Sequence, residues 1–325
     1  MSAKAKLRTF GRALPPVEFL SSAPDWQQAR VGWIEAALQR ARSLPDTGWV
    51  VVDASREVGT TPRRYRLDGT DYAVWRSPAG PRVAPDACPH MGASLSPGRV
   101  CEGELVCPWH GLRLGNAAHG SWRPLPVYDD GVLLWAALTT AHRDVGPVLP
   151  QRPERYLDAV MRKEARCDPE DVIANRLDPW HGVHFHPYSF ARLKVVEQEE
   201  ESIVVRVVYR VVGPYGVEVD ARFHCPERNT IAMTILRGEG EGSVVETHAT
   251  RIESGRAAII EATLATSDRP QFWHFVRPLS WLLRPLVRKA ADRLWRDDAA
   301  YAERRYALRS GSRASISRST SSSVL

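Results

Sequence analysis

The period of the apolar positions changes along the chain, and each change marks an element. Val31, Ile34 and Leu38 recur at spacings of three and four, and the run stops before Pro45. This predicts a helix inside an N-terminal lead-in over residues 1–45, with Asp25 as a candidate cap. From Gly48 to about Leu138, short β-rich runs such as Trp49-Val50-Val51-Val52 and Tyr72-Ala73-Val74-Trp75-Arg76 alternate with glycine and proline turns. That is the pattern of a small all-β domain, placed at 46–140. The following TTAHRDVGPVLPQRP holds three prolines and a glycine and supplies a linker at 141–153.

A second domain is expected over 154–309. Asp168 is a candidate N-cap, with Pro169 at the first helical position and Glu170 and Asp171 in the first turn, where negative charge meets the positive end of the helix. Long β-type runs follow: Leu193 to Val212, Val217 to Phe223, Thr230 to Arg237, Val244 to Ile252 and Ala257 to Thr266. The GEGEG segment at 238–242 lacks the strand-turn-helix setting of a dinucleotide loop and reads as a hairpin turn. A terminal helix is expected from about Pro285 to Leu308, with an apolar stripe through Val287, Ala291, Leu294 and Tyr301 that Asp298 interrupts. The class is therefore α+β. The serine-rich segment 310–325 has no apolar period and reads as a disordered tail.

Composition changes this picture in two places. The net charge of +6 is terminal in origin: Lys4, Lys6, Arg8 and Arg12 at one end and Arg309, Arg313 and Arg318 at the other leave the body near −1. A basic face for nucleic acid is not to be expected. Of five cysteines, Cys101, Cys167 and Cys225 have no framework spacing and suit reduced thiols in the cytoplasm. The N-terminus lacks the apolar run of a secretory signal, and no stretch of about 20 apolar residues predicts a membrane span. FWHFVRPLSWLLRPLV at 272–287 is read as a core-packed lead into the last helix. Its other reading is an interfacial patch with peripheral membrane contact.

The chemistry is concentrated in CPHMGASLSPGRVCEGELVCPWHG, from Cys88 to Gly111. Cys88-Pro89-His90 and Cys107-Pro108-Trp109-His110 each offer one sulfur and one nitrogen from a tight loop. Such a set binds zinc, or a [2Fe-2S] cluster with two histidines on one iron. The pattern C-x-H-x16-C-x2-H resembles the Rieske motif. Respiratory Rieske proteins carry a further cysteine in each loop, and these two form a disulfide. Here Ala93 and Trp109 stand near those positions, so the resemblance is to the oxygenase and ferredoxin branch.

A second constellation lies in CDPEDVIANRLDPWHGVHFHP, residues 167–187. Asn175, Asp178 and His181 recur every third residue, one helix face if the helix runs that far, before Pro179 and Gly182 let His184 and His186 turn back. The pattern N-x-x-D-x-x-H-x4-H resembles the iron motif of Rieske non-haem iron oxygenases, although the glutamate that often precedes the Asn is Ala174 here. The resemblance implies iron ligands His181 and His186, with His184 as the alternative second ligand, and Asp178 and Asn175 as active-site residues. A ferrous oxygenase site needs a third ligand, a carboxylate. Asp298 is the candidate on the inward stripe, ahead of Asp297 and Asp292, and its place five before Glu303 resembles the family's D-x4-E ending.

The resemblance implies a terminal oxygenase (alpha) subunit in the single-chain, monooxygenase-like branch. Its fold would be a Rieske domain followed by a helix-grip (START-like) catalytic domain. The implied cofactors are a [2Fe-2S] cluster on Cys88, His90, Cys107 and His110 and a mononuclear Fe(II). Family organisation implies a homotrimer in which Asp178 links His110 of one chain to His181 of the next. No nicotinamide or flavin fingerprint occurs, so a separate NAD(P)H-dependent reductase, with or without a ferredoxin, is expected to deliver electrons. The expected substrates are O2 and a bulky apolar molecule, terpenoid, steroid or carotenoid-like, for mono- or dioxygenation. The alternative readings are an electron carrier or helix-grip binding protein without the mononuclear iron, and a zinc-bound structural protein.

Overall fold

The computed structural model describes residues 8–10, 30–139, 145–212, 215–276 and 278–321. Asp25, the candidate cap, lies outside the described residues. A short strand β1 (Arg8–Phe10) is followed by helix α1 (Val31–Ser43), which buries Ile34, Ala37, Leu38 and Ala41 on one face and begins after Arg30.

Nine strands form the first unit: β2 (Trp49–Ala54), β3 (Arg63–Leu67), β4 (Thr70–Ser77), β5 (Gly80–Pro85), β6 (Arg99–Cys101), β7 (Glu104–Val106), β8 (Arg113–Leu114), β9 (Val127–Asp129) and β10 (Leu133–Ala137). They pair into small antiparallel sheets of order β2-β10-β9, β3-β4-β5 and β6-β7-β8. The last two sheets meet over Trp75, Leu95, Leu105, Leu114 and Trp122.

The second unit runs β11 (Leu157–Ala165), α2 (Pro169–Arg176), α3 (His181–Phe185), β12 (Phe190–Gln198), β13 (Ser202–Val212), β14 (Tyr215–Glu227), β15 (Thr230–Gly238), β16 (Val244–Glu253), β17 (Arg256–Ala265) and α4 (Ser280–Ser321). Its sheet has the order β11-β17-β16-β15-β14-β13-β12, with β1 joining β14. Successive side chains of β17 leave on opposite faces. Ala257 and Ile259 pack towards α4, with Ala291, Trp295, Ala299 and Ala302. Ala258, Ile260, Ala262 and Leu264 pack against Trp49, Val51 and Trp135 of the first unit. Burial on both faces explains why this strand is apolar apart from Glu261 and Thr263 between Ala257 and Ala265.

The structure differs from the sequence expectations in four places. The run from Leu193 to Val212 is two strands, because Glu199-Glu200-Glu201 forms a turn closed by Glu199 N–H donating to Ser202 O. Helix α2 ends at Arg176, so Asn175, Asp178 and His181 do not share one helix; Pro179 disfavours helical backbone in the residue before it. Helix α4 starts before Pro285, which stands inside it, and continues past Leu308 to Ser321, through most of the segment read as a tail. Arg309 anchors this extension on Asp168, Glu170 and Asp171 of the α2 start. Finally, Leu279, Trp281, Leu282 and Leu286 are exposed, Trp281 by 70%, so the segment leading into α4 is not core-packed along its length.

The two units are locked by a buried ionic knot. Arg152 donates through Nε and Nη2 to Glu246 at 2.6 and 2.7 Å and pairs with Asp130 at 3.1 Å. Glu246 also meets His248 at 3.2 Å. Breaking one side of a buried pair leaves an uncompensated charge, so Arg152→Met should destabilise the fold by about 3–5 kcal/mol, read from the urea midpoint. A loss under ~1 kcal/mol, the scale of an exposed pair, would contradict this assignment.

Candidate metal centres and active site

Two loops after β5 and β7 carry the paired cysteines and histidines, and they are built alike. Gly92 N–H donates to Cys88 O at 2.8 Å and Gly111 N–H to Cys107 O at 3.0 Å. Both glycines hold positive φ, +74 and +73, which side chains with a Cβ rarely adopt. The thiols of Cys88 and Cys107 are buried, whereas His90 and His110 are exposed with ring centroids 4.9 Å apart. Burial opposes ionisation of Cys107, but the Trp109 and His110 backbone N–H groups and the Cys88 thiol bring its pKa below the ordinary thiol value. For Cys88 burial prevails and raises the pKa, against N–H groups of His90 and Met91. Two inward sulfurs with backbone donors aimed at them, and two outward imidazoles, fit a [2Fe-2S] cluster of mixed ligation. Cys101 lies on β6, away from both loops, and all five thiols are free.

The second constellation converges from three elements. His181 opens α3, His186 follows its end, and Asp298 comes from α4. One ligand atom from each falls within 4.8 Å of the others, and no other group that joins histidine with a carboxylate in this way occurs among the described residues. The Asp298 Oδ1 lies 2.7 Å from His186 Nε2 and 3.1 Å from His181 Nε2. Neighbouring ligands about 2.1 Å from one ion lie roughly 3 Å apart, so the set fits a two-histidine, one-carboxylate face. Burial would raise the Asp298 pKa, yet His181 and His186 hold it well below the usual carboxylate range. Burial opposes protonation of His181, but the hydrogen bond and charge of Asp298, together with Asp178, push its pKa up.

The surroundings orient these groups. Asn175 Nδ2 donates to Asp298 Oδ1 at 3.2 Å, and His181 Nδ1 contacts the Asp178 carbonyl. Tyr188 Oη lies 3.3 Å from His186 Nδ1 and donates to Asp297 Oδ2 at 2.6 Å, while Arg293 stacks on the Tyr188 ring at 3.9 Å. Asp297 therefore braces a histidine instead of being merely solvated. Asp292 is turned away to Lys163 and Arg296, and His184 is exposed and outside the converging set. Tyr301 donates to Asp178 Oδ2 at 3.3 Å, and burial pushes its hydroxyl up to about 12. Asp178 Oδ1 is buried without a hydrogen-bond partner among the described residues.

The converging groups form one wall of a cavity of about 270 Å³. Phe190, Leu193, Val207, Met233, Ile235 and Leu294 make it mainly apolar. Val287, Ala290, Ala291, Leu294 and Asp298 face it from α4, while Trp295, Ala299 and Ala302 fill the packed core beside it. Glu261 and Arg176 also line the cavity. The sequence reading passed over both; the available signal was a single glutamate within the apolar run AAIIEATL of β17.

Residues 48–131 match the Rieske [2Fe-2S] domain, and residues 140–313 match a family described as a domain of unknown function (DUF5914). The chain is 27% identical over 194 residues to chlorophyllide a oxygenase, chloroplastic, of Chlamydomonas reinhardtii, a match covering 54% of this chain and 30% of that protein. It is 38% identical over 74 residues to the vanillate O-demethylase oxygenase subunit of Pseudomonas sp. (strain HR199 / DSM 7063), covering 22% and 21%. The matches thus span less than a third of these curated relatives. The crystal structure of dicamba monooxygenase bound to dicamba superposes with a TM-score of 0.62 at 19% identity, covering 85% of this chain and 90% of that one. The fold is shared over most of both chains.

Proposed function

From a chain that belongs to the family described as a domain of unknown function (DUF5914) and carries a Rieske domain ahead of it, we infer a terminal oxygenase that inserts oxygen from O2 into an apolar organic substrate. The observation that carries this reading is the convergence of His181, His186 and Asp298 on the wall of an apolar cavity. When bound, the cluster relays single electrons and the ferrous ion activates dioxygen. Cys88, His90, Cys107 and His110 would hold the first, and His181, His186 and Asp298 the second.

The remaining residues position and shield. Tyr188 and Asp297 fix the His186 ring, and Asn175 steadies the Asp298 carboxylate. The apolar walls exclude water from the oxidised carbon. A volume of about 270 Å³ lies at the low end of small-molecule sites, roughly 300–1,000 Å³. It suits a one- or two-ring molecule, or one end of a larger terpenoid, steroid or pigment. Electrons would come from a separate NAD(P)H-dependent reductase, directly or through a ferredoxin, docking where His90, His110, Met91 and Trp109 are exposed. A cytoplasmic homotrimer belongs to the same reading, and the exposed Leu279, Trp281, Leu282 and Leu286 offer a peripheral lipid contact. Among the described residues no helix is long and apolar enough to cross a membrane.

The test is single turnover of reduced, iron-loaded protein under labelled dioxygen with a panel of one- and two-ring aromatics and terpenoids. Labelled oxygen in a product supports the reading, and oxygen consumption without incorporation into any compound contradicts it.

The unpartnered Asp178 Oδ1 gives a second expectation. In a trimer it would accept a hydrogen bond from His110 of the partner subunit while Tyr301 holds Oδ2. Asp178→Asn should keep both metal centres and slow cluster reoxidation during turnover by about 10–100-fold, the usual cost of losing a carboxylate that orients metal-bound histidines. Stopped-flow absorbance reads this directly, and an unchanged rate removes the residue from the electron path.

A further inference from the structure

We propose that Glu261 is a specificity residue: its Oε1 accepts a hydrogen bond from a neutral hydroxyl on an otherwise apolar ring substrate. The proposal rests on the oxygenase reading and adds the polar group by which the substrate is held.

Glu261 occupies the middle of β17, where its neighbours Ile259, Ile260 and Ala262 are fully buried, and is itself only 6% exposed. A carboxylate in such a place is costly unless something requires it. All of its internal partners fall on one oxygen. Oε2 accepts from Trp295 Nε1 at 2.7 Å and Thr247 Oγ1 at 3.4 Å, and lies 3.6 Å from Arg176 Nη2. No described residue bonds Oε1, and the side chain lines the cavity that Asp298, His181 and His186 also line. The Trp295 N–H needs only an acceptor and Arg176 only a counter-ion, and both meet Oε2, so neither accounts for Oε1.

Arg176 narrows the choice of ligand. Its guanidinium lies over the rings of Phe223 and Trp295 at 5.8 and 5.7 Å, and its Nε is buried without a partner among the described residues. Placed beside Glu261, it leaves this end of the cavity without net charge. A formally charged carboxylate or ammonium would gain no counter-ion there, whereas a hydroxyl can donate to Oε1 at no charge cost.

The probes are 4-tert-butylphenol, its methyl ether 4-tert-butylanisole, and 4-tert-butylbenzoate. Binding to the cluster- and iron-loaded protein is measured by calorimetry, with metal content determined on the same samples. The phenol should bind about tenfold or more tightly than the ether, the scale of one hydrogen bond to a buried acid. In Glu261→Gln the amide can turn its NH2 into the cavity while its oxygen keeps the Trp295 bond, so the ratio should fall to about one or invert. Wild-type selectivity is read independently of how the variant folds. Equal ratios in both proteins, tightest binding of the benzoate, or no binding of the phenol would each overturn the proposal. Protein that keeps the phenol preference but holds no mononuclear iron would refute the oxygenase reading alone, and iron-loaded protein without the preference would refute this inference alone.

Discussion

Asp298→Asn is expected to empty the mononuclear site and lower turnover by more than about a thousandfold, because a neutral amide would replace the one anionic ligand proposed for the metal. The fold should survive. The substitution is isosteric, Asn175 can still donate to the remaining carbonyl oxygen, and the packed face of α4 is made by Ala291, Trp295, Ala299 and Ala302. Iron analysis should show loss of that ion with visible absorption of the cluster unchanged. Full iron content in the variant would mean that another carboxylate supplies the ligand. Asp297, the adjacent carboxylate of α4, would be the first to test.

Cys107→Ser should have the other large effect, at the opposite end of the proposed electron path. Cys107 and Cys88 lie in one core with Ala73, Trp75, Leu95, Leu105, Leu114 and Trp122, and metal binding at such a site is coupled to folding. Loss of the cluster should therefore abolish visible absorption and reductase-driven turnover together, and should also loosen β6, β7 and β8. The α4 core contains no residue of these strands. Thermal unfolding followed by near-ultraviolet circular dichroism should separate into an early transition of the β6, β7 and β8 region and a later one of the remainder. Retained colour, or one unchanged transition, would contradict this division.

The sequence was most informative where chemistry is local. The two Cys-His pairs lie within a single stretch of the chain, and each ends in the same five-residue loop closed by a glycine, so spacing alone exposed them. His181 and His186 stood out through the resemblance of their stretch to the iron motif, with His184 left as the alternative. Asp298 was harder: it comes 112 residues after His186 and was picked out because it breaks an apolar helical stripe and because its place five before Glu303 resembles the family's D-x4-E ending. The actual core face of α4 is turned towards Trp295, so the stripe in the sequence marks the wall of the cavity as well as the packed interior.

Other features depended on packing between distant segments. Glu261 and Arg152 read as ordinary charges until β17 is seen to be buried on both faces and the linker is seen to press Arg152 onto Glu246. Tyr188 and Asp297 form a brace only after the loop beyond α3 meets α4. Three successive glutamates hid a hairpin because the flanking residues on both sides are strand formers. Each depends on contacts between residues far apart in sequence, which neither period nor composition reports.

The central claim is that one chain holds two different iron centres. The most direct test is the metal content and visible spectrum of anaerobically purified protein beside His181→Ala. About three irons per chain with Rieske absorption, falling to about two in the variant with the spectrum intact, is the result this account predicts. About two irons in both proteins would remove the mononuclear centre and leave an electron carrier or a binding protein, and zinc in place of iron would contradict the account at both sites.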